Sequence, residues 1–148
     1  MRRFYAMKTW KALLLLVVLE TLCVGLGMGV PVFAILLGFP VGWWLGRRAT
    51  LERATSAMSL RDVLVRALVP SAITLAYMVV IWGPQLLRLR DPAFDVATWG
   101  IPLWLYTPMA SFVGWMALMV VVSPVLQLLT TVFGAYVAMM GDSAESAS

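Results

Sequence analysis

From Pro108 to Tyr136 the chain runs 29 residues without a single charge, and no water-soluble fold of this size has a place for such a segment. As a helix it is ~43 Å long, against ~30 Å for the hydrocarbon core of a bilayer, so it must tilt, kink or protrude. Thr107 and Pro108 supply an N-cap and a first-turn proline. Ser123 and Pro124 mark the expected kink. Breaking the run there would give two short spans and put the C-terminus outside. One kinked helix is preferred, because each half is short and no polar, turn-forming cluster separates them.

The rest of the chain obeys the same rule. Of its 148 residues 62% are hydrophobic and 12% charged, too few charges to cover a soluble globule. The expected fold is an all-α integral membrane protein, one domain over 1–148. It has four transmembrane helices near 10–29, 32–46, 60–83 and 108–136, with both termini cytoplasmic.

The N-terminus has the basic and apolar parts of a signal peptide but no small-residue cleavage site. It therefore reads as an uncleaved first span. Gly25, Gly27, Gly29 and Pro31 end that helix and start the second in a tight hairpin. The second helix is short, ~22 Å for its 15 residues, so either the turn is submerged or flanking residues join the span. Residues 47–59 form a cytoplasmic loop in which Ser59 and Asp62 match a capping box. Pro70 kinks the third helix and Gly83–Pro84 stop it. Residues 84–107 form an external interfacial loop with Trp99, Trp104 and Tyr106, and 141–148 a disordered tail.

The net charge of +4 is decided by position. Arg2, Arg3, Lys8, Lys11, Arg47, Arg48, Arg53, Arg61 and Arg66 lie on one proposed side, Arg88 and Arg90 on the other. Positive residues stay on the cytoplasmic side, so the N-terminus is expected inside, in a bacterial or archaeal cytoplasmic membrane. Basic residues that flank spans do not make a nucleic-acid surface, and no nucleic-acid partner is expected.

Most site chemistries lack a member. The chain has no histidine and one cysteine, Cys23, so no ordinary zinc, copper or haem site is expected, nor a histidine base. Ten methionines serve as flexible packing. No cofactor is expected. No phosphate loop, nucleophile elbow or metalloprotease motif occurs. Arg88, Asp91 and Asp95 at one interface and Asp62 at the other read as solvated charges, and an interfacial lipid-modifying enzyme is the third functional reading.

One residue breaks the apolar pattern. Glu20 lies about ten residues into the first span, where a carboxylate costs on the order of 2.5 to 3.5 kcal/mol on insertion scales, so it should face protein. By depth its partners are Ser71, Thr74 and Tyr77 of the third helix and Ser123 and Gln127 of the fourth, in one polar layer. Gly27 shares the face of Glu20. Gly38, Gly42 and Gly46 repeat every four residues and favour close approach by another helix, of this chain or of a neighbouring copy.

The leading expectation is a non-enzymatic subunit of a homo-oligomeric or larger membrane complex, with the lipid bilayer and other membrane subunits as partners. The alternative is a small proton- or cation-coupled transporter or channel using Glu20, with an ion or small molecule as substrate.

Overall fold

In a computed structural model the structure describes residues 7–52, 60–98, 100 and 105–145. The regular elements among them are all helical, and no strand occurs among the described residues. The helices are α1 (Thr9–Leu26), α2 (Val32–Glu52), α3 (Leu60–Arg88), α4 (Pro108–Ala117) and α5 (Ser123–Glu145), with a 3-10 turn at Val96–Thr98. Three helical stretches, Thr9–Leu26, Arg61–Arg88 and Pro108–Gly141, are long and apolar enough to cross a membrane. An integral membrane location is compatible with them. The remaining helix, α2, carries Arg47 and Arg48 in its second half.

Several element ends differ from expectation. The second helix does not stop at Gly46 but continues through Arg47 and Arg48 to Glu52, because two arginines can end a span without ending a helix. The loop expected at 47–59 is therefore helical at its start, while Arg53 and the Ser59 cap lie outside the described residues. Gly83–Pro84 do not stop α3, which runs on to Arg88. Proline removes one amide and crowds one carbonyl, and on an outward-facing turn the helix survives that loss. The helix unwinds through three-residue turns at Leu89, Arg90 and Asp91, just before Pro92. The tail expected to be disordered from 141 is helical to Glu145. Residues 146–148, the arginines at 2, 3 and 53, and Trp99 and Trp104 lie outside the described residues.

α4 and α5 form one rod joined by five π-helical residues, Leu118–Val122. The widened turn precedes Pro124, whose ring would crowd the carbonyl four residues back and which has no amide to give it. Ser123 takes up part of the slack, its hydroxyl donating to the Leu118 carbonyl at 2.7 Å.

The turn between α1 and α2 is closed by its own backbone: Met28 N donates to Gly25 O, Gly29 N to Val24 O and Val30 N to Gly27 O. Met28 and Gly29 have φ of 51° and 85°. The Trp82 indole donates to the Gly29 carbonyl at 3.0 Å and meets Trp115 edge-on, ring centroids 6.2 Å apart. Trp82 precedes Arg88 by six residues, so α3 rises ~9 Å past this contact with the hairpin turn, which Trp82 flanks on one side while Leu26 and Met28 stay exposed. At the opposite end Lys11, Arg47 and Arg48 each lie over a tryptophan, Trp10, Trp43 and Trp44 respectively, and Arg48 also donates to the Met7 carbonyl.

Although α1 and α2 are joined by a short turn, the principal partner of α2 is α5. Gly38, Gly42 and Gly46 face Thr130, Thr131, Ala135 and Ala138, while Gly134 of α5 faces the Phe39 carbonyl. A Cβ on Gly46 would lie 2.5 Å from the Ala135 carbonyl oxygen and one on Gly42 2.7 Å from the Thr131 carbonyl carbon, so the two backbones pack without intervening side chains. Where lipid removes the hydrophobic driving force, that close van der Waals contact holds helices together. α3 packs on α5 through a stripe of Val63, Ala67, Pro70, Ser71, Thr74 and Met78, all buried, at the three- and four-residue spacing of one helical face.

Candidate functional site

Beside the hairpin turn lies an apolar cluster of Val24, Ala34, Met78 and Met119, with Trp82 packed against it. One turn further along α1 and α3, and two turns further along the α4–α5 rod, the composition changes. Glu20 of α1, Thr74 of α3 and Gln127 of α5 are all fully buried and meet there. Thr74 Oγ1 donates to Glu20 Oε2 at 3.0 Å, and Gln127 Nε2 donates to Glu20 Oε1. Gln127 Oε1 is buried with no hydrogen-bond partner.

Each side chain reaches this point for a local reason. Glu20 and Val24 are four residues apart, hence on one face of α1, and they are the two buried residues of that helix. Thr74 and Met78 repeat the spacing on α3. Gln127 stands one turn after the π-helical stretch, which adds a residue to the turn and sets the register of α5.

The remaining polar residues bind helix backbone or one another. Ser71 Oγ donates to the Pro124 carbonyl at 2.7 Å, linking α3 to α5. Tyr77 does not reach Glu20: the Thr21 hydroxyl donates to Val17 O at 2.7 Å and so receives the Tyr77 hydroxyl at 2.6 Å. Ser123 serves its own helix. Of the six residues expected in one polar layer, the structure joins Thr74 and Gln127 to Glu20 and leaves Ser71, Tyr77 and Ser123 on other partners. Gly27 sits in the hairpin turn, where a Cβ would strike the Val30 carbonyl; it closes the turn rather than a helix pair.

Sequence reasoning did not single out Thr21, or the part played by Thr130 and Thr131. Thr130 Oγ1 lies 2.7 Å from Ile35 O and 2.9 Å from Gln127 O, joining α5 to α2. Thr131 Oγ1 donates to Gln127 O at 2.7 Å.

At the far end of α3, Arg88, Asp91, Phe94, Asp95 and Thr98 line an open depression of about 350 Å³. Asp91 and Asp95 each accept a backbone amide two residues ahead, from Ala93 and Ala97, so both carboxylates organise their own turns. Among the described residues no three His, Cys, Asp or Glu side chains gather where a metal ion would need them.

No family model, no curated protein and no solved structure matches this chain.

Proposed function

We infer that this chain is a small, non-enzymatic, multi-pass membrane protein that works as a subunit of a larger membrane assembly. The observation carrying this reading is α1. It is long and apolar enough to cross a membrane, yet Glu20 and Val24 are the two side chains it buries, and Leu13, Leu14, Val18, Leu22 and Leu26 face outward. Lipid satisfies such a surface, and so does another apolar helix. In this reading α2 is the fourth span, both termini are cytoplasmic by the distribution of arginine and lysine, and the membrane is a bacterial or archaeal cytoplasmic one.

The glycine stripe does not serve the assembly, because its close contacts lie within the chain. A partner would instead meet α1. The test is the native mass of the gently solubilised protein, expressed alone and recovered from its own membrane. A specific complex in either preparation supports the reading, and a monomer in both overturns it.

A second reading, a proton- or cation-coupled transporter or channel, is favoured by the convergence of a carboxyl, an amide and a hydroxyl from three helices at Glu20. In a reconstituted flux assay Glu20→Gln would then abolish transport while leaving folding intact.

A further inference from the structure

The hydrogen bonds at Glu20 do not balance for a carboxylate. Two donors reach it, Thr74 Oγ1 and Gln127 Nε2, and the amide oxygen beside that same nitrogen, Gln127 Oε1, is buried without a donor. A buried acceptor left without a donor is costly, because it has given up its water and gained nothing in exchange. An ionised carboxylate adds only acceptors to such a site, whereas a carboxylic acid carries the missing donor. An acid and an amide can then pair in both directions, the acid O–H to the amide oxygen and an amide N–H to the acid carbonyl.

No basic residue competes for the role. Between Val32 and Gly46 on α2 there is no ionisable side chain; between Ala67 and Leu87 on α3 the one such group is Tyr77, which is bonded to Thr21. From Pro108 to Gly141 it is Tyr136, nine residues beyond Gln127. On α1 the neighbour is Cys23, half-buried against the apolar cluster. Gln127 lies against the carboxyl, so an added proton needs no movement of a helix.

We propose that Glu20, Gln127 and Thr74 form a proton-binding site whose occupancy keeps α1 seated on α3 and α5. When the acid O–H bond breaks, the proton passes to water or hydroxide and the electron pair stays on the carboxylate. That charge keeps two neutral donors but meets no cation among the groups named above, and must be reached by water. α1 is the element that yields, since beyond Glu20 it buries one side chain, Val24, and is otherwise tied by the half-buried Cys23, the Thr21–Tyr77 bond, the Trp82 bond at the hairpin tip and the Arg48 bond to the Met7 carbonyl at its start. This inference goes beyond the assembly reading and stands without it.

The chain's single cysteine is a natural probe, three residues from Glu20. The full chain in lipid nanodiscs is labelled with a neutral maleimide over a pH series, alongside Glu20→Gln, which retains the hydrogen-bonding side chain without a titrating proton. Thiol reactivity itself rises with pH, so the informative quantity is the ratio of the two rates. The ratio should start near one, climb about tenfold per pH unit above the ordinary range of an exposed carboxyl, the signature of a single proton, and level off where the wild type has lost its acid form. Infrared titration of the wild type requires no variant, and the buried acid carbonyl band should vanish in the transition that levels the ratio off. If Glu20→Gln does not fold, Glu20→Asp replaces it and should displace that transition. A flat ratio, or acid-band loss at a pH unrelated to labelling, overturns the proposal. Labelling that tracks sodium concentration at fixed pH and ignores pH also overturns it.

Discussion

The α2–α5 seam and the seat of α1 hold helices by opposite means. Along the seam Gly38, Gly42, Gly46 and Gly134 let backbone meet backbone over much of the length of α2, and many weak atomic contacts act together. At the seat, one carboxyl reaches two partners on two helices, and little else of α1 is buried. A seam fails by steric intrusion, at any of several positions. A clamp fails by losing one group or one proton, and can therefore be reversible.

The comparison can be broken or sharpened by mutation. The largest effect is expected from Gly42→Val, whose side chain would enter the Thr131 backbone; overpacking there should cost about 3 kcal/mol or more, read as loss of the folded peak in detergent chromatography or a lower unfolding midpoint. If it is tolerated, the seam is looser than its backbone contacts imply. Next, Glu20→Leu strands the Thr74 hydroxyl and the Gln127 amide in the core and should destabilise by about 2 kcal/mol. Adding Gln127→Leu should recover about 1 kcal/mol of that, because removing both partners costs less than removing one. A double variant no better than the single one would mean that Gln127 has support elsewhere. Thr130→Val removes the contacts to Ile35 and Gln127 carbonyls and should cost about 0.6 kcal/mol, a typical value for helix-bridging hydrogen bonds in membranes. An effect as large as that of Glu20→Leu would move the polar tie from α1 to α2. The smallest change is Met28→Gly. Met28 is 91% exposed with φ of 51°, and relief of that left-handed conformation, offset by the entropy of glycine, should stabilise by about 0.5 kcal/mol. A loss of stability there would show that the Met28 side chain helps to hold the tip.

Long apolar runs, the glycine cluster at the hairpin and an isolated acid are visible in one dimension because each sets a local cost that only a few structures avoid. An uncharged run of 29 residues has no stable home in water, and a carboxyl in mid-span must turn toward protein. Helix ends were harder to read. Gly83–Pro84 and Gly46–Arg47 look like stops, but whether a helix continues past such residues depends on what its far side touches, and local preference is weak against that.

The amino-acid sequence by itself determined the helical class, the need for an apolar surrounding and the demand that Glu20 find polar company. Only the tertiary structure decided that Thr74 and Gln127 answer that demand while Tyr77 turns to Thr21, and that the glycine stripe closes on α5. The physical reason is that depth along a helix can be counted in residues, whereas the direction a side chain faces at that depth depends on helix rotation. That rotation is set by the close packing of glycines against α5 and by the extra residue in the π-helical turn before Pro124.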